Sequence, residues 1–564
     1  MKRLFSYFAV LTAVTAILIG CAEEKKEKPA APEKAAVETA SGQVVAPKLV
    51  GYECAVPNDA ALVARFDANQ VLVKSGLKAE LTQMLRSQLQ AEGAPEFVLN
   101  LVNDFRNTGV DVEAPMYLFA KFVDSKNIFV SFVAKTYNKN VLDKLLNLAS
   151  QGAIEKSIVS GCTVVPMEDG LVLAYNDTAV VLGAVSPIEE SYVDYNVTPY
   201  LVEALQNAAN GKGGAVLPGY AGSDAAVCLN MASLVDMIKP QILKEVAGGY
   251  NSEVAYVLEM LDKSRSGKID LALNFANGSI NLDLKTSNFP KVEGFQMPVC
   301  TNQNLDKVSA NALFVANLPL NGGEWVKVLT TLINENPQYK SMINDALAES
   351  GMNGINADMA LSFITPLLNS VNGDLTLAIN SVTPKHNDYA ATADVDACAM
   401  VNVTNSSIIN AIEMTGATNS PEIINLGNSN YAASIDGIPA YFGQKDNLLY
   451  VSTPTVIAPK YPAATSASWY PAVQGSYAYA VLNISSFCSV PEFMQGVEMG
   501  INETVGNDEI ARQLSFKLVK SIDYLLLTAP TAESLSLQLV LKNKNENVLK
   551  QIVDLLKPLV YQNL

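Results

Sequence analysis

The sequence predicts an internally duplicated α+β protein, with antiparallel sheets of hairpins and meanders and with helices packed on one face. Three observations predict this class. Apolar and polar residues alternate in paired segments, which is the pattern of half-buried strands. Amphipathic segments of helical period follow several of these pairs. The same order of segments returns about 250 residues further along the chain, and such repetition favours duplication over chance.

The repeat is carried by four strand-then-helix segments. The segment that begins at Asp59 resembles the one at Asn311, and the segment at Asp224 resembles the one at Ser476. A pair of alternating runs follows each of them. One pair is separated by Asn277-Gly278, which predicts a type I′ turn because both of its central residues need a positive φ.

Short helices are expected after the strand pairs. Asn138 and Asn545 stand where N-caps would stand, before two similar sequences, "VLDKLLNLA" and "VLKQIVDLL". In the first of them Leu142, Leu145 and Leu146 form one apolar face.

Length and composition predict more than one domain. The chain has 564 residues, 49% of them hydrophobic, and single cores stop growing near roughly 250–300 residues. The predicted segments are a signal peptide at 1–20, a disordered tether at 21–49, a first half at 50–295 and a second half at 296–564.

The amino terminus has the layout of a secretory signal. Lys2 and Arg3 precede an uncharged apolar run that ends at Gly20. Leu18-Ile19-Gly20-Cys21 resembles the bacterial lipobox, and that resemblance implies cleavage before Cys21 and acylation of this cysteine. The alternative is an uncleaved anchor, because the run is barely long enough to span a bilayer.

The segment after Cys21 predicts a tether. It lacks aromatic residues and hydrophobic periodicity, so it cannot bury enough surface to offset its ordering entropy. A flexible chain of this length would hold the body roughly 30 Å from the membrane. Glu23 and Glu24 resemble an export signal for surface lipoproteins. We expect an outer-membrane lipoprotein that faces the periplasm or the cell surface.

Two further stretches carry a family resemblance. "VPNDAALVARFDANQVLVKSGL" and "GVDVEAPMYLFAKF", together with the lipobox, resemble the Bacteroidota lipoproteins grouped as the domain of unknown function DUF4836. The resemblance covers most of the chain after Cys21. Its motifs are packing patterns rather than chemical signatures, so it implies no particular activity.

Charge and cysteine usage exclude several function classes. The net charge of −17 argues against nucleic acid as a partner, because phosphate binding needs clustered Lys and Arg. The cysteines after Cys21 show no C-x-x-C spacing, so zinc and thioredoxin-type motifs are absent. Disulfides and isolated buried thiols both remain open for Cys54, Cys162, Cys228, Cys300, Cys398 and Cys488.

Candidate catalytic groups are few. The single histidine, His386, excludes metal sites that need two or three imidazoles, and we expect it in a polar loop. Phosphate-binding glycine loops are absent. Asp394 and Asp396 lack the glycine and glutamate of a calcium loop. The sequence therefore predicts no catalytic residue, no cofactor and no metal site.

Aromatic residues offer one candidate binding surface. Trp469 with Tyr470, Tyr477 and Tyr479 is either packing at a domain boundary or an exposed binding patch. Trp325 has helical spacing and is expected in the core.

These observations favour a non-catalytic, lipid-anchored envelope protein that binds or scaffolds a partner. The membrane is contacted through the lipid on Cys21, and an envelope protein or a glycan is the expected further partner. The alternative is a carboxylate-based hydrolase of envelope or external polymers. Such an enzyme needs two acids across a cleft, and 56 acidic residues nominate no pair.

Overall fold

The computed structural model describes residues 51–562 apart from 92, 94–95, 150–154, 168–169, 189–194, 221, 246–251, 291–296, 336, 353, 388–389, 436–437 and 507. Cys21, the predicted segments at 1–20 and 21–49 and the predicted boundary at 295–296 lie outside the described residues. The chain divides into two compact units. The first holds residues 1–275, 286–289 and 549–553, and the second holds residues 276–285, 290–548 and 554–564.

Strands and helices of the first unit follow one another along the chain. The strands are β1 (Leu62–Phe66), β2 (Val110–Asp111), β3 (Met116–Phe122), β4 (Asn127–Thr136), β5 (Ser157–Val159), β6 (Cys162–Pro166), β7 (Val172–Tyr175), β8 (Ala179–Pro187), β9 (Ala225–Asn230) and β10 (Lys268–Ala276). The helices are α1 (Ala68–Ser75), α2 (Lys78–Ala91), α3 (Glu96–Asn103), α4 (Lys139–Ala149), α5 (Thr198–Asn210), α6 (Met231–Glu245) and α7 (Ser252–Ser264).

The remaining elements begin after Gly278. The strands are β11 (Ser279–Ser287), β12 (Phe314–Asn321), β13 (Val371–Asn387), β14 (Ala390–Val403), β15 (Ile424–Gly427), β16 (Asn430–Ile435), β17 (Ile438–Lys445), β18 (Leu448–Ser452), β19 (Ala478–Leu482), β20 (Ile522–Thr531) and β21 (Ser534–Leu541). The helices are α8 (Gly322–Glu335), α9 (Pro337–Glu349), α10 (Ala357–Ser370), α11 (Ser407–Met414), α12 (Tyr470–Val473), α13 (Ile484–Phe487), α14 (Pro491–Val505), α15 (Glu509–Ser521) and α16 (Val548–Gln562).

The strands pair in the same order in both units. The order in the first is β10–β9–β1–β3–β4–β8–β7–β6–β5, with the short β2 also on β4. The order in the second is β11–β21–β20–β19–β12–β13–β14–β18–β17–β16–β15. All these pairs are antiparallel. In the alignment of the two orders, β1 corresponds to β12, β9 to β19 and β3 to β13. The predicted α+β class with duplicated antiparallel sheets is confirmed.

Each sheet has one covered face and one open face. On β12, Val315 is 1% exposed on the covered face, whereas its neighbours Phe314 and Ala316 are half-buried on the open face. Successive side chains of a strand point to opposite faces, so the alternation read from the sequence places one residue in two on each side. β1 repeats this pattern with Val63 on the covered face and Ala64 on the open one.

The covered faces carry the two main cores, but different elements cover them. In the first unit the cover is α5, whose Leu201 and Leu205 are fully buried. In the second unit it is formed by short segments around Leu305, Ala464 and Val473, which contribute to the core with Trp469. The expected helix on one face is therefore long in the first unit and reduced to turns in the second.

Local predictions had mixed outcomes. Asn138 caps α4, because its Oδ1 accepts from the backbone N of Asn140 and Val141 at 3.0 and 3.3 Å. The cap at Asn545 is wrong, because α16 begins only at Val548 and Asn545 N donates to Asn543 Oδ1.

The type I′ turn is also wrong. Only Gly278 has a positive φ, of 68°. Asn277 instead bridges Asn547, and Gly278 exchanges backbone hydrogen bonds with Glu546 and Leu541. A distant segment therefore contacts this backbone, and Asn277 does not have the conformation that a type I′ turn requires.

Two residues predicted from local context are placed differently. His386 belongs to β13, where its backbone pairs with Ala391, so its assignment to a loop is wrong. Trp325 is 42% exposed on α8, so its assignment to the core is wrong. Helical spacing gives a face to a helix but does not say which face is buried.

Candidate functional site

The predicted aromatic cluster divides between core and surface. Trp469 and Tyr479 are 1% and 4% exposed, and their ring centroids are 6.3 Å apart. Tyr470 and Tyr477 are half-buried. Burial raises the pKa of the Tyr479 phenol well above its usual range, so the hydroxyl stays protonated and donates to Asn302 Oδ1 at 2.7 Å. In this arrangement neither Trp469 nor Tyr479 offers a ring face to a ligand.

The six cysteines in the described part of the chain form no disulfide. Five are buried, and Cys488 is half-buried. Burial raises the pKa of Cys228 and of Cys300 to about 12 in each case. A buried thiol with a raised pKa is a poor nucleophile, because the thiolate is the reactive form.

A polar cavity of about 840 Å³ lies in the second unit. Most of its lining side chains carry a hydroxyl or an amide. The serines are Ser309, Ser381, Ser466, Ser468, Ser485, Ser486 and Ser489. The amides are Asn311, Asn380 and Asn483, and the one carboxylate is Asp523. We call this the serine cavity.

Strand ends and a short helix hold the polar groups of the serine cavity. Asn380 on β13 accepts from Ser309 N at 2.8 Å and donates to Asp396 Oδ1 at 3.1 Å. Asn483 follows β19 and caps α13 by accepting from Ser486 N at 2.9 Å. These bonds fix the amides at the wall, and N-cap geometry explains why an asparagine stands at that turn.

Asp523 is already engaged by neighbouring groups. Its Oδ2 accepts from Ser468 Oγ at 3.4 Å and forms an ion pair with Lys544 Nζ at 3.2 Å. Lys544 does not line the cavity, so it neutralises the charge of the Asp523 carboxylate without adding a positive group to the lining. The lining therefore presents neutral donors and acceptors and little net charge.

The same place in the first unit is closed. The pairing of β1 with its neighbours in the first unit corresponds residue by residue to the pairing of β12 with its neighbours in the second. Lys121 therefore corresponds to Asn380, Asp59 to Asn311 and Ser233 to Ser486. Lys121 Nζ pairs with an Asp59 carboxylate oxygen at 2.8 Å, and Ser233 Oγ donates to the Asp59 carbonyl at 2.8 Å. Lys121 also lines a hollow of about 10 Å³ beside Ala204 and Tyr200, which is no more than one water needs.

Acidic side chains are scarce in the lining of the serine cavity. Glycoside hydrolysis by the usual routes needs two carboxyl groups, and Asp523 alone is among the lining residues. Within the described ranges, no cluster of three or more His, Cys, Asp and Glu side chains could hold a metal ion.

No pattern in the sequence predicts this cavity. Its serines lie in separate stretches, notably "SAS" at 466–468 and "SSFCS" at 485–489. Serine-rich turns are common in loops, so each stretch alone carries no functional signal. Only the comparison of the two units shows that one of them leaves this place open.

No helix in the described part of the chain has the length and hydropathy to cross a membrane. A search of curated proteins finds no match, and a search of solved structures finds none either. One family model, described as a domain of unknown function (DUF4836), matches residues 52–197 and 223–549. That match covers most of the sequence, so the chain belongs to the DUF4836 family.

Proposed function

We propose that this protein is a non-catalytic binding protein of the cell envelope, anchored in the outer membrane through a lipid on Cys21. The proposed ligand is uncharged and rich in hydroxyl groups, such as a glycan. The observation that carries the proposal is the serine cavity of the second unit. Its volume is within the range of ligand sites, roughly 300–1,000 Å³.

The chemistry of the lining favours this ligand class. Hydroxyl and amide side chains both donate and accept hydrogen bonds, as a polyhydroxylated ligand requires. The lining has no Lys or Arg, so a phosphate or another anion would find no counter-charge. Asp523 is balanced by Lys544, so a cation gains little there.

The same lining favours binding over hydrolysis. A hydrolase would need a second acid across the cavity from Asp523, and the remaining polar lining groups are serines and asparagines.

The anchor rests on the amino-terminal sequence. Lys2 and Arg3, the apolar run and the lipobox-like stretch that ends at Cys21 have the layout of a lipoprotein signal. Two or more acyl chains hold a protein stably at a membrane, whereas one chain binds marginally.

A glycan array probed with the detergent-extracted, full-length protein tests the ligand class. We expect binding to neutral glycans, and we expect Ser381→Trp to abolish it by filling the cavity from exposed β13. Ser157→Trp, at an exposed strand serine of the first unit, is the matched control and should bind normally. Equal binding by both variants would refute the site. Hydrolysis products in the same incubations would refute the non-catalytic role.

Mass spectrometry of the membrane-extracted protein tests the anchor. We expect a mature amino terminus at Cys21 that carries acyl mass, and we expect Cys21→Ser to leave unacylated precursor. An intact Met1 in the membrane fraction would contradict the proposal.

A further inference from the structure

A row of directly paired apolar residues crosses the open face of the second sheet. Val451, Ala399, Leu377, Ala316, Ala480 and Leu527 follow one another from β18 to β20, each opposite the next. Leu537 and Leu282 continue the row on β21 and β11. At about 4.8 Å between strands, the row is roughly 34 Å long.

Two adjoining hollows lie along this row. One is about 460 Å³, between β17 and β12, and the other is about 260 Å³, between β13 and β21. Leu377 lines both, so they form one continuous surface that we call the apolar groove. Large side chains of the same row form walls between and beside the hollows, and they stay substantially exposed: Leu377 at 39%, Leu527 at 43% and Val451 at 49%.

The floor of the apolar groove is made of small residues. Ala399, Ala316 and Ala480 lie between the larger wall residues in the row. The first unit has the corresponding row Leu182, Phe132, Leu118, Ala64, Val227 and Leu271. Phe132 and Val227 therefore occupy the places of Ala399 and Ala480, and they fill what the second unit leaves hollow.

The apolar groove offers no polar partner to an occupant. No charged residue lines it. The polar residues at its edge, such as Asn317, Tyr479 and Thr528, are 2–4% exposed because their side chains point to the covered face. An extended peptide would leave backbone N–H and C=O groups unpaired on this surface, and that is costly. A hydrocarbon chain has no such groups.

We propose that the apolar groove binds an acyl chain of a membrane phospholipid. A row of adjoining uncharged hollows with an alanine floor suits a linear hydrocarbon, which is apolar along its whole length. Each methylene that leaves water tightens binding about fourfold. The lipid comes from the bilayer to which Cys21 is proposed to attach, so the inference rests on that anchor, but it does not depend on the serine cavity.

Photo-crosslinking in intact cells tests this directly. The photoreactive residue p-benzoylphenylalanine replaces Ile438, which lines the apolar groove and is 45% exposed. The matched control carries it at Ile424 on β15, which is 64% exposed and outside the groove. After irradiation we expect the full-length protein to gain the mass of a phospholipid at position 438 and not at position 424.

Groove-filling variants provide the second measurement. Ala399→Phe with Ala480→Val introduces the residues that the first unit already carries at the same positions. We expect at least about a tenfold loss of lipid adduct at position 438, because the hollow loses contact with several methylenes. Circular dichroism verifies that the variant folds, and if it does not, Ala480→Val alone should give a smaller loss in the same direction.

Four outcomes would overturn the inference. They are equal lipid adduct at positions 438 and 424, an adduct at 438 unchanged by groove filling, a crosslink from 438 to a second copy or to another protein, and a crosslink to the chain's own acylated amino-terminal peptide. The amino-terminal mass measurement tests the anchor separately, so the two proposals can fail independently.

Discussion

The two units share a sheet and differ in what covers it. Nine strands of each sheet follow one order. The connection from β8 to β9 in the first unit contains the helix α5, whereas the corresponding connection from β18 to β19 in the second unit is a series of turns that ends in α12. A continuous helix closes its side of the sheet, whereas turns leave the serine cavity. The sheet is thus the conserved framework of this duplicated fold, and the connection is where the two units diverge.

The buried polar groups differ in the same way. In the first unit Asp224 is fully buried and binds Lys74 Nζ at 2.7 Å. In the second unit Asp374 is fully buried, and the donors known from the described residues are neutral: Thr301, Asn302 and Asn317. Asp224 and Asp374 do not occupy corresponding positions, so the two units hold a buried carboxylate at different places, one with a cation and one with neutral donors.

The largest expected effect is at Asp374. Asp374→Ala removes a fully buried carboxylate that accepts from Thr301, Asn302 and Asn317, and should cost about 4 kcal/mol of unfolding free energy in the second unit. Urea unfolding followed by circular dichroism measures this cost. Asp394→Ala, at a side chain 66% exposed, is the control and should change stability little. A similar loss in both variants would mean that the neutral network does not anchor this unit.

Truncation of a buried side chain should lower the unfolding free energy more in α5 than in α12. Leu205→Ala in α5 removes a fully buried leucine and should cost about 3 kcal/mol. Val473→Ala in α12 removes two buried methyl groups and should cost about 1.5 kcal/mol. The same unfolding measurement compares them. If Val473→Ala cost as much as Leu205→Ala, the turns would hold their sheet as firmly as the helix does.

Insertion of a tryptophan should lower the stability of the first unit more than that of the second, because only the second unit has a large cavity at the site. Ala204→Trp, at the hollow of about 10 Å³, should overpack the first unit and cost about 2 kcal/mol. Ser381→Trp, at the serine cavity, has room and should stay within about 0.5 kcal/mol of the native protein. Thermal unfolding of both variants checks the difference. Equal destabilisation would show that the cavity does not accept a side chain.

Sequence patterns predicted the structural features that depend on residues nearby in the chain. They missed the features that depend on residues far apart in the chain. The period-two alternation was sufficient for the strands, and the cap at Asn138 needs only residues two and three positions away. The conformation of Asn277 was predicted wrongly, because this residue bridges Asn547, far along the chain. The serine cavity brings together Ser309, Ser381, Ser468 and Ser486, whose spacing in sequence contains no period. Repetition predicted the shared sheet, but a cavity that only one copy possesses has no repeat to reveal it.

The effect confined to high pH concerns a property that both units share, a thiol buried on the covered face. Burial raises the pKa of Cys228 in the first unit to about 12 and that of Cys398 in the second to about 11, from an ordinary value of 9.0. The folded state then holds these protons more tightly than the unfolded chain does. Stability from each thiol is therefore complete below pH 9 and is lost as the pH rises through the folded pKa.

The measured quantity is the slope of unfolding free energy against pH above pH 9. Each thiol should contribute a fall of roughly 1.4 kcal/mol per pH unit, and Cys228→Ala or Cys398→Ala should each remove one such contribution. Val181→Ala, a buried truncation without an ionisable group, should lower stability but keep the native slope. Because its folded pKa is higher, Cys228 should act over a wider pH range than Cys398. A slope that neither cysteine variant changes would mean that these thiols ionise as readily in the folded protein as in the unfolded chain.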